Sequence, residues 1–314
     1  MTNPPVTRYP TQTLGISEHS TSIEDDAAGR SRYDPRVPYD DASRAANRAR
    51  FARLIAQPEA EIDLGLGALH IAADGRPEVE PGPTLAILDA LAERVRIRLD
   101  VGDSQTHVLD RLHDVLYRES GFRAPTAAEF HDPRNSLLDL VAWRRIGLPI
   151  SLALIELEVA WRIGLPLTGI GLPGHYIVGA PGGVLVDPAG DGRRLTPDDC
   201  QALIRRAVGD GVLFHSRMLR PTGKRETLTR VLRNLRSANL AARDWPAALG
   251  TVEMLAVVEP TDPEHGRDRG LLLGRMGRFG EAVTALARYL DERPDSHDAG
   301  DVRQVMGIFA GRRN

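Results

Sequence analysis

Cysteine is nearly absent from this chain, which contains Cys200 as its single example in 314 residues. One thiol excludes an internal disulfide and any cluster of cysteine ligands around a metal, and it suits a reducing compartment. We interpret Cys200 as an inert helix residue. Long apolar runs are also absent: none reaches the roughly 18 residues of a membrane helix, and the first residues lack the charged and apolar regions of a secretory signal. These absences predict a cytoplasmic protein that does not enter a membrane.

A strong net charge is missing as well. The 40 basic and 43 acidic residues give a formal net charge of −3, so no strong field attracts nucleic acid or an anionic membrane. There is no HExxH, Walker or dinucleotide glycine pattern. The segment Asp187-Pro-Ala-Gly-Asp-Gly lacks the alternating acids and the closing glutamate of a calcium loop. We therefore expect no cofactor, no metal and no nucleic-acid partner.

The chain is long enough for about two domains, and 42% of its residues are hydrophobic. Residues 1–44 are rich in Ser, Thr, Pro, Asp and Arg and have no apolar period, which predicts a disordered tail. Apolar residues then recur at helical spacing. They predict helices around Phe51 and over residues 63–73, 83–99, 106–120, 137–145 and 151–163.

The last ninety or so residues contain a repeat with a period of 34 residues. Trp245-Pro-Ala-Ala-Leu aligns with Phe279-Gly-Glu-Ala-Val, and Pro260 aligns with Pro294 at the same offset. Paired helices with this period are typical of tetratricopeptide repeats. The predicted helices cover residues 227–242, 246–258, 266–276, 280–292 and a fragment at 301–310. Because such repeats bury their apolar faces only against neighbours, we expect them to pack on the preceding domain.

Three polar residues form a candidate site: Ser151, His175 and Asp187. Ser151 stands at the start of the nearly apolar helix 151–163. Two β-branched runs around Pro-Gly-Gly at 181–183 predict a hairpin that carries His175 and Asp187. These two residues are twelve apart, an even number, so both side chains should lie on one sheet face and form a hydrogen bond. The order of serine at a helix start, histidine and aspartate is that of a nucleophile activated by an oriented base.

Each of these residues also has a purely structural interpretation. Ser151 can be a helix N-cap, which we favour over a nucleophile because serine is a preferred cap residue. His175 can bond to a carbonyl group, and Asp187 can cap the turn that follows it. Glu158 lies seven residues after Ser151 and can add a carboxylate to the site, but we favour an ion pair with Arg162 four residues on.

Five short motifs carry a resemblance to a known family. They are Asp132-Pro-Arg-Asn-Ser, Gly147-Leu-Pro-Ile-Ser-Leu, Glu158-Val-Ala-Trp-Arg-Ile-Gly-Leu-Pro, Pro173-Gly-His-Tyr-Ile-Val and Val186-Asp-Pro. Together with the repeat, they resemble the invasion-gene-regulator-B family of bacterial proteins, in which a transglutaminase-like core precedes tetratricopeptide repeats. The resemblance implies an α+β fold: a helical, papain-like core with a small antiparallel sheet over residues 45–222, then all-α helical hairpins over residues 223–314.

The resemblance also bears on chemistry. An active transglutaminase has cysteine where this chain has Ser151, and a hydroxyl is far less ionised than a thiol at neutral pH. The serine and the repeats favour a regulatory factor that binds a protein or peptide through the repeats. The alternative is an enzyme for acyl transfer, or for amide or ester hydrolysis, that uses a Ser151-His175-Asp187 triad. The retained histidine and aspartate favour this alternative.

Overall fold

The computed structural model describes residues 41–312. Within them, seven helices and a four-stranded antiparallel sheet form a first part, and five helices follow. The first helices are α1 Asp41–Ile55, α2 Leu64–Asp74, α3 Pro81–Arg96, α4 Gln105–His113, α5 Leu138–Arg144, α6 Pro149–Arg162 and α7 Pro197–Val208. The strands, between α6 and α7, are β1 Thr168–Leu172, β2 His175–Ala180, β3 Val184–Asp187 and β4 Arg193–Leu195. The last helices are α8 Lys224–Ala241, α9 Trp245–Val258, α10 Glu264–Arg275, α11 Phe279–Glu292 and α12 Ala299–Gly311. The predicted α+β class is confirmed.

Of the tail predicted for residues 1–44, residues 1–40 lie outside the described residues. Residues 41–44 differ from that prediction, since they form the first turn of α1. The helix starts ten residues before the first apolar position, Phe51, because the intervening run is rich in alanine and arginine, which have high helix propensity.

The sheet has the order β1-β2-β3-β4, with each neighbouring pair antiparallel. β2 and β3 form the predicted hairpin, in which Val178 is opposite Val186. Gly182 and Gly183 form its turn with φ angles of 76° and 78°, a region that residues with a Cβ rarely occupy. β1 and β4 were not predicted, because β1 is glycine-rich and β4 has three residues.

The two faces of the sheet pack against different helices. Tyr176, Val178 and Val186 belong to the main apolar cluster, which surrounds α6. On the opposite face, Ile177 packs with Cys200 of α7 in a smaller cluster. Helix α6 is the centre of the main cluster, since every residue from Pro149 to Ala160 is buried, as its nearly apolar sequence predicts.

Helices α8 and α9 pack into the same cluster as α6. Leu228 of α8 and Leu255 of α9 are completely buried in it. Leu228 lies directly against α2, where a Cβ added at Gly67 would be 2.7 Å from its Cδ1 atom. Arg48 of α1 also bonds to Glu253 of α9 at 2.6 Å. The expectation that the repeat region packs on the preceding domain is confirmed.

The remaining helices stack away from the first part. Helix α10 packs closely on α11 at Gly270, where an added Cβ would lie 2.6 Å from Cγ of Leu286. Helix α12 packs on α11 and places the ring of Phe309 against Gly274, one turn after Gly270 in α10. Between residues 41 and 312, no helix combines the length and the apolar character needed to cross a bilayer.

Candidate functional site

His175 and Asp187 form a hydrogen-bonded pair at the open end of the β2–β3 hairpin. The distance between His175 Nε2 and Asp187 Oδ1 is 2.9 Å, and the two side chains are 12% and 7% exposed. Asp187 Oδ1 also accepts a hydrogen bond from the backbone N–H of Ala189 at 3.0 Å. Asp187 thus caps its turn and orients the imidazole at the same time. The predicted contact between the two residues is confirmed.

The strand register determines where this pair faces. His175 is opposite Leu172 of β1, and alternation along β2 places it on the same face as Ile177. This is the face that packs against α7, where the buried Cys200 lies. Burial raises the pKa of the Cys200 thiol, and the nearby Asp199 and Asp187 carboxylates raise it further. A neutral, enclosed thiol agrees with the interpretation of Cys200 as inert.

Ser151 is not the N-cap that the sequence predicted. The cap residue is Leu148, and the helix begins at Pro149, so Ser151 occupies the third helical position. Proline favours the first position of a helix because it has no N–H to leave unpaired there, and this moves the start of α6 two residues earlier. The Ser151 side chain is completely buried, and its Oγ has no hydrogen-bond partner among the described residues.

The structure therefore shows a hydrogen bond between two of the three candidate residues and none from the Ser151 hydroxyl to either of them. An activated serine needs a base within about 2.6–3.2 Å of its hydroxyl. His175 bonds to Asp187 but does not bond to Ser151. Pro149 and Ile150, just before Ser151, line the same groove as His175, whereas Ser151 itself does not line it. The hydroxyl has neither a base nor access to the groove in this conformation.

Glu158 has the structural role that was favoured. Its Oε2 accepts a hydrogen bond from Arg162 Nη1 at 2.6 Å. The carboxylate lies over α2, where a Cβ added at Gly65 would be 2.8 Å from its Cδ atom. The predicted ion pair between Glu158 and Arg162 within α6 is therefore present, and the Glu158 carboxylate also contacts α2.

A second histidine–carboxylate pair, which no sequence motif indicated, is centred on Glu156 of α6. This carboxylate is completely buried; His113 Nε2 lies 2.9 Å from its Oε1, and Tyr117 O–H donates to its Oε2 at 2.5 Å. Tyr117 belongs to a single turn of π-helix, Asp114–Glu119, that continues α4. Burial raises the pKa of Tyr117 well above its usual value, and the Glu156 charge adds to the rise. The pair lies against Gly192, where an added Cβ would be 2.6 Å from His113 Nδ1.

A large groove, here named the α8 groove, runs from the β1–β2 turn along α8 to α10. Its volume is about 1440 Å³. Seven arginines and five carboxylates line it, which gives the lining a net charge of +2 with histidines neutral. The arginines are Arg217, Arg220, Arg225, Arg230, Arg233, Arg236 and Arg267, and the carboxylates are Glu59, Glu226, Glu259, Glu264 and Asp268. Each carboxylate forms an ion pair with an arginine of the same lining.

Helix α8 holds the turn that precedes His175. Arg230 donates hydrogen bonds to the carbonyl oxygens of Leu172 and His175, the latter at 2.6 Å. Its guanidinium also lies over the ring of Tyr176, 5.6 Å from the centroid. The Tyr176 hydroxyl in turn is 2.8 Å from Thr227 Oγ1 of α8. His175 is therefore part of the wall of the α8 groove.

One group of side chains in the described part of the chain has the composition of a metal site. Ligand atoms of Glu259, Asp262 and His265 lie within 4.8 Å of one another in the α9–α10 connection. His265 Nε2 is 3.2 Å from Glu259 Oε2, and Arg233 donates to Glu259 Oε1 at 2.7 Å. These contacts pair His265 Nε2, whereas its buried Nδ1 has no hydrogen-bond partner among the described residues.

Comparison with known proteins adds two family matches. Residues 83–233 match the model of the transglutaminase-like superfamily, and residues 235–307 match that of the tetratricopeptide repeat. The boundary between the two matches falls inside α8.

Bacterial relatives match over most of their length. A UPF0162 protein of Xylella fastidiosa is 34% identical over 252 residues, which cover 78% of this chain and 89% of that protein. A UPF0162 protein of Pseudomonas aeruginosa is 35% identical over 208 residues, which cover 65% of this chain and 75% of that protein. Human F-box only protein 21 is 32% identical over 115 residues, which cover 33% of this chain and 18% of that protein. No solved structure matches the chain.

Proposed function

We propose that this chain, which belongs to the UPF0162 family and joins a transglutaminase-like domain to tetratricopeptide repeats, is a protein-binding factor without acyl-transfer activity. The domain order is also that of the invasion-gene-regulator-B family, and we include that likeness in the proposal. The factor acts in the cytoplasm, on a protein or peptide, and binds neither nucleic acid nor membranes.

The α8 groove is the observation that carries this proposal. Pockets for small ligands usually have volumes of roughly 300–1,000 Å³, and the α8 groove, at about 1440 Å³, is larger. Both the transglutaminase-like part and the repeat helices contribute to its walls. A polypeptide segment matches its size and its many polar groups better than a metabolite does.

The state of Ser151 supports binding over catalysis. Its hydroxyl is buried, lies outside the groove lining and has no bond to His175. A substrate in the groove would therefore meet the wall formed by His175 but not the serine. In the proposed division, the transglutaminase-like domain ends at residue 222 and residues 223–314 form the repeats.

Site-specific cross-linking tests the binding function. A photo-reactive amino acid at Asn234, in the groove, should yield a discrete adduct with a partner protein in cells, and mass spectrometry of that adduct should identify the bound segment. The matched control is the same amino acid at Val101, which is exposed in the α3–α4 loop and does not line the groove. Equal adducts at both positions, or none at Asn234, would contradict the proposal.

The hydrogen bond between His175 and Asp187 favours a second candidate, an acyl-transfer or hydrolytic enzyme. Such a bond fixes the imidazole in the orientation that a general base needs. A fluorophosphonate probe separates the two candidates, because it labels only activated serines. We expect no labelling of the wild type. Stoichiometric labelling of Ser151 that His175→Ala abolishes, while the variant remains folded, would make the enzyme the correct function.

A further inference from the structure

We propose that the α8 groove binds an acidic polypeptide segment in an extended conformation, with Arg217, Asn234 and Arg236 as the contacting side chains. This inference rests on the proposed binding function and specifies the chemistry of the partner. It follows from polar groups of the lining that no other described residue occupies.

The charge of the groove favours an acidic ligand. All five carboxylates of the lining are already paired with arginines, so they are neutralised in place. Arg217 is an exposed residue of the lining, and its guanidinium forms no ion pair with any residue between 41 and 312. The lining carries a net +2 in a chain whose formal charge is −3. This local excess of positive charge attracts carboxylates.

Two groups further along α8 have unused hydrogen-bonding capacity. Asn234 is half-buried in the lining, and its side-chain amide makes no hydrogen bond to another described residue. An amide offers donors and an acceptor, which is what the N–H and C=O of an extended backbone require. Arg236 pairs with Asp268 through Nη1 at 3.0 Å, and its side chain, which is partly exposed, makes no further hydrogen bond to a described residue. Its Nη2 group therefore has donors available for a ligand oxygen.

The length of the groove sets the length of the segment. The lining residues of α8 extend to Ser237, from Gly223 immediately before the helix. At 1.5 Å per residue this stretch is roughly 20 Å long. An extended chain advances about 3.3 Å per residue. The groove beside α8 therefore accommodates roughly six residues in extended conformation.

The same lining disfavours a nucleic acid, which is the other polyanion that arginines bind. Binding of nucleic acid depends on many uncompensated positive charges along the phosphate backbone. Here five carboxylates line the walls, and most of the arginines are occupied by them. Spaced carboxylates on a peptide fit this mixed surface better than a continuous row of phosphates.

An array of immobilised random octapeptides, probed with the full-length chain, tests this inference. The retained peptides should have a net charge of −2 or lower, and binding should weaken as the salt concentration rises. Arg217→Ala should lower the affinity for the retained acidic peptides by roughly 2- to 12-fold, the range that corresponds to one hydrogen bond. Asn234→Ala should lower the affinity for all retained peptides by a similar factor, because the Asn234 amide is proposed to contact the peptide backbone. Arg288→Ala is the matched control, since Arg288 is exposed on α11 outside the groove.

The contrary outcomes are distinct. The inference would be overturned if the retained peptides were neutral or basic, or if no peptide were retained. It would also be overturned if Arg217→Ala behaved like Arg288→Ala, or if a single-stranded RNA probe bound more strongly than the peptides. The proposed binding function has its own test in the cross-link at Asn234. A cross-linked partner whose bound segment is not acidic would keep that function and refute the acidic ligand. Absence of the cross-link would refute the function itself.

Discussion

Replacing Ser151 by alanine should stabilise the protein. The hydroxyl is completely buried, and its Oγ has no partner among the described residues. A buried polar group without a partner costs about 1–3 kcal/mol. Removing one atom leaves a small cavity, which at about 24 cal/mol per Å³ costs a few tenths of a kcal/mol. The expected net change is a gain of about 1 kcal/mol or more in the free energy of unfolding.

The sign of this change separates two interpretations. If Ser151 were an N-cap, the same substitution would lose about 0.5–2 kcal/mol. Urea denaturation of wild type and Ser151→Ala, compared at equal m-values, measures the difference. Thr251→Val is the matched control, because the equally enclosed Thr251 hydroxyl donates to Ala247 O at 2.8 Å and accepts from Asn239 Nδ2 at 3.1 Å. The control should lose about 1–3 kcal/mol.

A loss of stability in Ser151→Ala that matches the loss in the control would refute the reasoning. It would mean that the Ser151 hydroxyl has a partner, and a serine hydrogen-bonded in the interior would revive the enzyme candidate. A gain would leave Ser151 with no structural contribution at all. The fluorophosphonate experiment would then be decisive for its chemistry.

Three further predictions concern the links between the parts of the molecule. Tyr176→Phe removes the buried hydrogen bond to Thr227 and should lower the free energy of unfolding by about 0.5–1.5 kcal/mol in urea denaturation; an unchanged midpoint would contradict this role. Gly274→Ala places a Cβ 2.1 Å from ring atoms of Phe309, so the ring must move off α10, with an expected loss of about 1–3 kcal/mol and faster hydrogen exchange in α12 as its contact with α10 weakens. Burial opposes ionisation of Asp298, yet hydrogen bonds from Tyr289 and Arg267, together with the Arg267 charge, lower its pKa from 3.8 to about 2. A carboxyl group with a lowered pKa in the folded state stabilises the fold at pH values above its unfolded pKa, and this stabilisation is lost as the pH falls through the folded pKa. Asp298→Asn should therefore have a lower free energy of unfolding than wild type at pH 7, and the difference should shrink between about pH 4 and pH 2. A difference that stays constant with pH would refute the ionised state of Asp298.

The hairpin could be predicted from the sequence because its information is local. The even spacing of His175 and Asp187 around Pro-Gly-Gly determines their common sheet face, whatever the rest of the chain does. The repeat helices were predictable for the same reason, since a fixed period repeats within one segment. In contrast, the start of α6 depended on one choice between two competing signals. Pro149 at the first helical position prevailed over Ser151 as a cap, and the proline preference would have given the correct start.

Long-range contacts account for what the sequence did not predict. Glu156 was visible as a carboxylate in a nearly apolar helix, but its partner His113 is 43 residues away and has no motif that points to it. The sequence indicated Glu158 because it shares a helix face with Ser151, yet Glu156 is the more buried carboxylate and has two hydrogen-bond partners. The α8 groove depends on how two parts of the chain pack, which periodicity does not encode.

Helix α8 contains the boundary between the two family matches and also packs into the main apolar cluster, and this affects the order of folding during synthesis. The main apolar cluster includes Leu228 of α8 and Val258 at the end of α9, so it cannot close when residue 222 leaves the ribosome. About 36 more residues must follow, which at roughly 5–20 residues per second takes about 2–7 s. Throughout that interval, the surface of α6 that α8 will cover is exposed on the nascent chain. Chaperones that recognise apolar surface therefore have a defined period in which to act on this protein. The period ends when α9 has been synthesised and packs into the cluster.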